Sequence, residues 1–303
     1  MPNNRVCNLY YKISYTDLVK NIFSPNNIGS CFTIDNINDD KRTVQKENRL
    51  IYIVHKLKMG RVVHFVENIL FISNIWNNDN FKEFICDFNP DIVFSFTSTL
   101  KATELIIKEV KKIKPNCKLV TFITDDIYEA NRSKSIRKTI EYQIKNASKV
   151  YAITPSLKEK YEKIYNADID VLRKGCYFEQ AVIKKNNSVK TIVYAGNLYY
   201  ERDKTLIRLA EDIYKHNLKS ENKMRLHIYS PTYIDEATKN ALNKDGASEF
   251  MGSRSYEEIV EVLNKADIVL HVESFDKKQQ KIVKNSFSTK IIDALQSGSV
   301  LFS

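Results

Sequence analysis

The sequence predicts an α/β protein built on parallel β-sheets that carry helices on both faces. Two observations lead to this prediction. Between residues 190 and 272, short β-branched and aromatic runs alternate with segments whose apolar residues recur at helical spacing. A similar alternation is present between residues 89 and 172. Strands that alternate with helices form parallel sheets, and the ligands of such sheets bind at the carboxyl ends of the strands.

The composition is that of a globular chain with room for two domains. The 303 residues are predicted to divide into domains at 1–175 and 176–303, joined by the basic stretch around Lys174 and Lys184. With 43% hydrophobic and 28% charged residues, a disordered chain is excluded. No apolar run approaches the roughly 20 residues of a membrane-spanning helix. The five cysteines lack metal-type spacing, which predicts reduced thiols and a cytoplasmic protein.

Positive charge is concentrated in the first half of the chain. Residues 1–175 contain 28 basic against 20 acidic side chains, and residues 176–303 contain 19 against 17. Solubility and contact with the inner face of a cell membrane explain this surplus better than nucleic acid does, because no nucleic-acid motif accompanies it. The apolar segment 61–76, preceded by Lys56 and Lys58, is predicted to pack against a sheet, with a membrane surface as the alternative.

The first domain is predicted to contain, in order, a strand at 6–13, helices at 46–59 and 61–76, a buried strand at 89–97, a helix at 100–113, and strands at 118–123, 149–154 and 168–172. Trp76 is predicted to be either a packing anchor or part of a surface. Ser156 and Glu159 predict a capping box that opens a helix ending near Tyr165. Asp125 and Asp126 follow the strand at 118–123, where carboxylates belong either to a site or to a helix cap.

The second domain is predicted to contain strands at 191–197, 224–231, 248–252, 266–272 and 300–302, with helices at 204–215 and 235–242, a helix from Ser255 to about Leu263, and a helix after a lysine-rich loop. Ser255 and Glu258 form a second capping box, and Tyr256 is predicted to face inward with Ile259 and Leu263.

The stretch from Phe287 to Gly298 organises the second domain. It is predicted to be a helix that begins at Ser286 or Ser288, ends at Gly298, and buries one apolar face made of Ile291, Ile292 and Leu295. The first amide groups of a helix have no intrahelical partners and lie at the positive end of its dipole. This helix start therefore predicts a phosphate site, with an ordinary capped surface helix as the alternative.

Five motifs follow one another in a distinctive order: Tyr194-Ala195-Gly196-Asn197-Leu198, His227-Ile228-Tyr229-Ser230, Phe250-Met251-Gly252, Lys265-Ala266-Asp267-Ile268-Val269-Leu270, and Ser288 to Gly298. Their order resembles the nucleotide-sugar-binding half of retaining glycosyltransferases of family 4. Pro90-Asp91-Ile92-Val93 resembles the acceptor-side half of the same enzymes. The resemblance implies the GT-B fold, in which two Rossmann-like domains face each other across a cleft. It also implies transfer of a sugar from a nucleoside diphosphate sugar to a polysaccharide or lipid-linked acceptor, without a metal or other cofactor.

The same resemblance implies the residues of the site. Those that would bind the donor nucleotide and diphosphate are Gly196, Asn197, Arg202, Lys204, Ser230, Met251, Gly252, Ser288, Thr289, Lys290 and Asp293. Asp293 corresponds to a glutamate that binds the ribose. A second glutamate of the family, eight positions earlier and near the transferred sugar, corresponds to Asn285, which cannot carry a charge. Glu273 could replace it in space, and Asp125 is the catalytic candidate of the first domain.

Two other hypotheses remain open. A complete GT-B enzyme is expected to have a further strand, loop and helix at its start and more elements after Ser303, so the chain is predicted to be a fragment or a shortened relative. Together with Asn285, this favours a degenerate nucleotide-sugar-binding or scaffold protein. A nucleotide-sugar epimerase is the third hypothesis. It is disfavoured because the sequence shows no set of histidine and carboxylate at strand ends, and His271 is predicted to be a strand residue.

Overall fold

The computed structural model describes residues 7–21, 23–33, 60–131, 133–175 and 188–303. They fall into two compact units, the first ending at Leu172 and the second beginning at Arg173. Each unit contains its own parallel sheet. The helix predicted at 46–59 lies outside the described residues.

The first unit combines a small hairpin with a four-stranded parallel sheet. Its strands are β1 (Leu9–Lys12), β2 (Ser30–Thr33), β3 (Ile92–Phe96), β4 (Lys118–Ile123), β5 (Lys149–Ala152) and β6 (Ile169–Val171). Its helices are α1 (Tyr15–Lys20), α2 (Gly60–Ile72), α3 (Asp79–Phe88), α4 (Lys101–Ile113), α5 (Ile127–Ala130), α6 (Lys134–Lys145) and α7 (Pro155–Tyr165). Strands β1 and β2 are antiparallel, and β3 to β6 lie side by side in chain order. Five of these elements, β2, α1, α3, α5 and α6, were not predicted from the sequence.

Two apolar clusters hold the first unit together. One packs α1, α2 and α3 around Trp76, which is 1% exposed and donates its indole N–H to the Phe71 carbonyl at 2.9 Å. Trp76 is therefore a packing anchor. The other cluster packs α6 and α7 against the sheet through Ile140, Leu157 and Tyr161, all fully buried.

Two expectations for the first unit are wrong. The strand predicted as buried is the edge strand β3, and its side chains Ile92, Phe94 and Phe96 are each at least half exposed. The cap of α7 is Thr154, whose hydroxyl accepts from the Leu157 amide at 3.2 Å, with Pro155 in the first turn. Pro155 fits the first turn because the amide hydrogen that proline lacks would have no partner there. Since the helix begins after Thr154, Ser156 lies inside it.

Helix α2 packs only in part. Phe71 faces the core, whereas four other large apolar side chains are exposed: Phe65, Val66, Ile69 and Ile72. Within the described ranges, no helix is both long enough and apolar enough to cross a bilayer. Peripheral membrane contact through α2 stays a prediction, which sedimentation of the parent and an Ile69→Ser variant with anionic vesicles would test.

The second unit is a five-stranded parallel sheet, as the sequence predicts. Its strands are β7 (Lys190–Ala195), β8 (Met224–Tyr229), β9 (Ser248–Gly252), β10 (Ile268–Leu270) and β11 (Val300–Phe302). Its helices are α8 (Arg202–Lys219), α9 (Glu236–Leu242), α10 (Tyr256–Lys265), α11 (Lys277–Val283) and α12 (Thr289–Gln296). The spatial order is β11-β10-β7-β8-β9. The chain thus builds outward from β7 on one side and then crosses to place β10 on the other.

Local sequence signals explain where these helices begin. Asp235 accepts from the Thr238 amide ahead of α9, and the predicted capping box of Ser255 and Glu258 opens α10. The predicted lysine-rich loop instead contains α11, which Asp276 caps. Lysine and glutamine are good helix formers, which favours a helix over a loop in this segment.

Two apolar side chains predicted to face inward do not. Tyr256 is 57% exposed on α10, and Leu295 is 48% exposed on α12. Ala294 is the residue of α12 that is buried against the sheet, in a cluster with Val193 and Val269. Gly298 has φ of 67° and follows the helix, as the prediction of its end requires.

We expect the exposed face of β3 to contribute little to stability. Replacing the buried Ile140 by alanine should lower the free energy of unfolding of the first unit by about 2–5 kcal/mol. Ile92→Ala, on the exposed face, should change it by less than about 0.5 kcal/mol. Denaturant unfolding followed by fluorescence reports on this unit, because Trp76 is the only tryptophan of the chain. A comparable cost for both variants would mean that the face of β3 is covered in solution.

Candidate functional site

A cavity of about 240 Å³ opens at the carboxyl end of the second unit's sheet. Residues at the ends of β7 and β10 line it together with side chains of α10 and α12. Strand β8 continues the sheet on one side of β7 and β10 on the other, so the direction of the chain switches between β7 and β10. Ligands of open parallel sheets bind at such a switch point.

Gly196 ends β7 and allows a lysine to approach the backbone. A Cβ atom at this position would lie 2.8 Å from Lys290 Nζ and 2.8 Å from the Tyr194 hydroxyl oxygen. The Tyr194 hydroxyl donates to the Asn197 carbonyl at 2.6 Å, which fixes the loop after the strand. A side chain at this position would therefore have to displace the Lys290 ammonium group and the Tyr194 hydroxyl.

Arg202 is a buried cation beside the cavity, with 8% of its surface exposed. Neither Arg202 nor its partners Asn197 and Glu273 line the cavity itself. Its Nε donates to the Val272 carbonyl at 3.1 Å, and its two terminal nitrogens donate to Asn197 Oδ1 at 2.7 Å and to Glu273 Oε2 at 3.0 Å. A guanidinium group has five N–H donors, so two remain after these bonds. Arg202 thus joins the end of β7 to the segment after β10 and still has donors for a ligand.

Glu273 lies between Arg202 and His271. His271 Nε2 lies 3.1 Å from Glu273 Oε1, and the His271 Nδ1 lies 3.2 Å from the Ser303 hydroxyl. Hydrogen bonds from His271 and Arg202 lower the pKa of Glu273 to about 2, against the effect of burial. A histidine and a carboxylate therefore do meet at a strand end, contrary to the sequence-based expectation. Both ring nitrogens of His271 are already engaged, so the ring orients Glu273.

Lys290 is the second cation of the crevice. It lies in the first turn of α12, and although part of the side chain is exposed, Nζ lies against Gly196. Burial of the ammonium group lowers the pKa of Lys290, and the nearby Arg202 lowers it further. Lys290 forms no ion pair with any residue that the structure describes. Two cations therefore share one carboxylate, Glu273.

Asp293 lies one turn further along α12 and has two partners. The Lys174 ammonium group pairs with its Oδ1, and the Tyr256 hydroxyl lies 3.3 Å from the same atom. Lys174 Nζ also lies 5.8 Å from the centre of the Tyr256 ring. Asp293 lines the cavity with only 17% of its side chain exposed, so its carboxylate is held in one orientation.

The strands on the other side of β7 bring Ser230 to the cavity. Ser230 is 3% exposed; its amide donates to the Gly252 carbonyl at 2.9 Å and its hydroxyl accepts from the Thr232 amide at 3.1 Å. Gly252 has φ of 72°, which favours glycine where the chain turns after β9. Met251 and Gly252 stand beside the cavity without lining it, and Arg254 lines it in their place.

The remaining predicted residues have different surroundings. Lys204 is exposed and pairs with Glu201 at 2.6 Å, away from the cavity lining. Ser288 precedes α12, but its hydroxyl makes no capping bond, and Ser286 donates to the Ile282 carbonyl instead. Neither Ser288, Thr289 nor Asn285 lines the cavity.

Asp125 and Asp126 lie in the first unit, after β4. Asp126 is fully buried, accepts from the Glu129 amide at 3.3 Å and pairs with Lys160 at 2.8 Å. It is a structural helix cap. Asp125 is partly exposed and accepts from the Thr124 hydroxyl at 3.4 Å.

The sequence analysis missed four residues of the site: Lys174, Arg254, Tyr256 and the orienting His271. Tyr256 follows a capping serine at helical spacing, which predicted an inward side chain. The sequence indicates a role for Lys174 only through its position, shortly after the last strand of the first unit. Among the residues that the structure describes, no group of three or more His, Cys, Asp or Glu side chains is placed to hold a metal ion.

Comparison with known proteins identifies the fold. No protein-family profile matches the sequence, and no curated protein matches it. Among solved structures, TarM is similar to this chain at 14% identity and a TM-score of 0.50, over 69% of this chain and 40% of TarM. An S. aureus TarM mutant in complex with fondaparinux, α-GlcNAc-glycerol and UDP matches at 14% identity and a TM-score of 0.46, over 64% of this chain and 38% of that one.

WaaG, a glycosyltransferase involved in lipopolysaccharide biosynthesis, matches at 14% identity and a TM-score of 0.46, over 68% of this chain and 64% of WaaG. The chain thus spans less than half the length of TarM and under two thirds of WaaG. The likeness to TarM shows the fold, a mixed α/β architecture of parallel sheets and helices that GT-B glycosyltransferases share. The predicted fold class is confirmed.

We expect the low pKa of Glu273 to make the second unit less stable in acid. A carboxylate whose pKa is lowered on folding stabilises the protein above its ordinary pKa, and this contribution is lost as the pH falls from about 4.5 to about 2. Glu273→Gln should therefore lower the free energy of unfolding near neutral pH by roughly 1–2 kcal/mol, after allowance for the half-exposed side chain.

Differential scanning calorimetry of the parent and Glu273→Gln across this pH range would measure the effect. The difference between them should shrink toward zero at the acid end. Glu261→Gln, which removes an exposed carboxylate from α10, is the matched control and should follow the parent at every pH. A difference for Glu273→Gln that does not change with pH would contradict the assignment.

Proposed function

We propose that the second unit binds a nucleoside diphosphate sugar and that the protein transfers the sugar to a polysaccharide or lipid-linked glycan acceptor. One observation carries this proposal: Arg202 and Lys290 lie near each other at the switch point of the sheet, and among the residues that the structure describes Glu273 is the carboxylate that acts on both. These three side chains therefore carry a net positive charge. A diphosphate would supply the missing negative charge, and the GT-B fold is consistent with this ligand.

The diphosphate is the leaving group of sugar transfer, and its negative charge grows as the bond to the sugar breaks. Groups that are already in place to receive this charge lower the barrier, because they need no reorganisation during the reaction. The two unused donors of Arg202 and the ammonium group of Lys290 are suited to this role. The start of α12 adds unpaired amide groups and the Ser288 hydroxyl, which makes no capping bond.

Asp293 is suited to bind the ribose. Its carboxylate is oriented by Lys174 and Tyr256, and its second oxygen can accept from a ribose hydroxyl. The base would then lie toward Ser230 and Arg254, at the ends of β8 and β9. A cavity lined by Tyr229 and Ile259 as well as these polar groups offers apolar surface for the face of a base.

We include metal independence and retention of the anomeric configuration in the proposal. Arg202 and Lys290 would carry out the charge neutralisation for which other enzymes use a divalent cation. Asp125 is the carboxylate that we propose on the acceptor side. We also propose membership of family 4, which is supported by the resemblance of motifs alone.

The alternative function is a catalytically degenerate protein that binds a nucleotide sugar without turning it over. Asn285, in the position of a family glutamate, is the observation that favours it. A nucleotide-sugar epimerase stays disfavoured, although the structure does bring a histidine and a carboxylate together. Proton abstraction from a sugar carbon needs a strong base, and Glu273, whose pKa is lowered to about 2 by His271 and Arg202, is a weak one.

Thermal unfolding with UDP, GDP, ADP and their sugars tests the donor site, because a ligand that binds only the folded state raises the midpoint. We expect one nucleoside diphosphate to raise it more than its nucleoside does. Lys290→Met should lower the affinity for this nucleoside diphosphate by about tenfold or more, since a charged hydrogen bond to a phosphate is lost. Lys239→Met, an exposed lysine of α9, should bind like the parent. No shift with any nucleotide, in a folded parent, would remove the donor site.

Release of the nucleoside diphosphate from the bound sugar donor, measured with and without glycan acceptors, separates an enzyme from a binder. Turnover that falls in Lys290→Met would support the enzyme, and NMR of the product's anomeric configuration would test retention. Binding without turnover, with every donor that shifts the midpoint, would support the degenerate protein. Conversion of the donor into its epimer without an acceptor would support the epimerase.

A further inference from the structure

Helix α11 presents a row of lysines to solvent. Lys277, Lys281 and Lys284 are spaced four and three residues apart, which places them on one face of a helix. All three are exposed, and none forms an ion pair with a residue in the described ranges. The helix itself contains no acidic residue. Its exposed face is therefore a stripe of positive charge, and the acidic residue next to it in sequence is Asp276 at the N-cap.

The lysines of this stripe destabilise the helix that carries them. Like charges four residues apart repel each other, and a lysine in the first turn, as at Lys277, meets the positive end of the helix dipole. Other helices of the chain compensate their lysines with a glutamate at the same spacing, as in Lys108 with Glu104 and Lys145 with Glu141. Solubility does not require such an arrangement, since scattered lysines serve it equally well.

Two exposed aromatic rings flank the stripe. Phe275, two residues before α11, is 67% exposed, and Phe287, shortly after it, is 36% exposed. Single exposed apolar side chains are common on protein surfaces, so the significance of these two rings lies in their position at both ends of the lysine stripe. The faces of sugar rings carry apolar C–H groups that pack on aromatic rings, whereas a ligand that carried charge alone would have no use for them.

The segment is fixed beside the crevice. The Ser274 hydroxyl donates to the Tyr200 carbonyl at 2.5 Å and accepts from the Asp276 amide at 3.0 Å, and Asp276 then caps α11. Helix α11 thus joins Glu273, at one side of the crevice, to the start of α12, which carries Lys290. The two ends of α11 are therefore connected to the two parts of the crevice that carry the cations of the proposed donor site.

We propose that α11, with Phe275 and Phe287, binds an anionic glycan, a carbohydrate chain that carries carboxylate or phosphate groups. The lysines would pair with its charges and the phenylalanines would pack on its rings. This inference rests on the proposed function in one respect: it identifies the acceptor of the sugar transfer as an anionic glycan. The binding surface itself does not depend on the nucleotide site.

The test measures binding of two fluorescent probes, an oligogalacturonide and a phosphomannan oligosaccharide, by anisotropy without nucleotide. The variant Lys277→Gln/Lys281→Gln/Lys284→Gln should bind at least one probe about tenfold more weakly than the parent at low salt, with a smaller salt dependence. The control Lys215→Gln/Lys219→Gln/Lys265→Gln removes the same charge from helix ends at the opposite edge of the sheet and should bind like the parent.

Two further comparisons separate a glycan from other anions. Methyl esterification of the oligogalacturonide keeps the sugar rings and removes the charge, so it should weaken binding. Phe275→Ala should weaken the binding of the glycans. It should leave the binding of polyaspartate, which has no sugar ring, unchanged. Equal affinity of the parent for polyaspartate and the glycans, or binding to anionic vesicles in place of both probes, would overturn the inference.

The two proposals fail separately. If neither probe binds a parent whose midpoint is raised by a nucleoside diphosphate, the anionic-glycan inference is wrong and the donor site stands. If a probe binds through α11 and no nucleotide raises the midpoint, the glycan surface stands and the proposed transferase function is wrong. The triple-lysine variant should keep the nucleotide shift of the parent, which shows that it is folded.

Discussion

The second unit depends on one buried charge, the guanidinium group of Arg202. A charge that is removed from water must be hydrogen-bonded and paired, and Arg202 meets this requirement through Val272, Asn197 and Glu273. These partners come from the end of β7 and from the segment after β10, which are far apart in sequence. Their positions are therefore fixed relative to each other, and the crevice that lies between them acquires its shape.

The sequence predicted what depends on short-range order. The alternation of apolar residues located β7 and β8, and the capping residues Asp235 and Ser255 located two helix starts. The family resemblance assigned Gly196 and Lys290 to one site, and the two lie together at the edge where the carboxyl ends of parallel strands and the helices that follow them gather. Helical spacing says which residues share a face, however, and does not say which face meets the sheet.

That distinction explains the errors. Leu295 shares the apolar face of its helix, yet the sheet contacts Ala294, and β3 is exposed because it is an edge strand of its described sheet. Edge position follows from the order of strands, which no local pattern encodes. Pairings such as Lys174 with Asp293 join residues that are 119 positions apart. The sequence gives the charges of such residues and leaves open which partners they find.

The turn between β7 and α8 connects the two proposed binding surfaces. Tyr200 and Glu201 have φ of 60° and 66°, in the left-handed region that side chains other than glycine seldom adopt. Such conformations cost on the order of 1 kcal/mol each and persist where neighbouring bonds hold them. The bond from Ser274 to the Tyr200 carbonyl is one of these, and the turn leads directly into Arg202. Ser274 thus contacts both the start of α11 and the turn that positions Arg202. A glycan bound on α11 would therefore contact a segment that is hydrogen-bonded to the proposed diphosphate site.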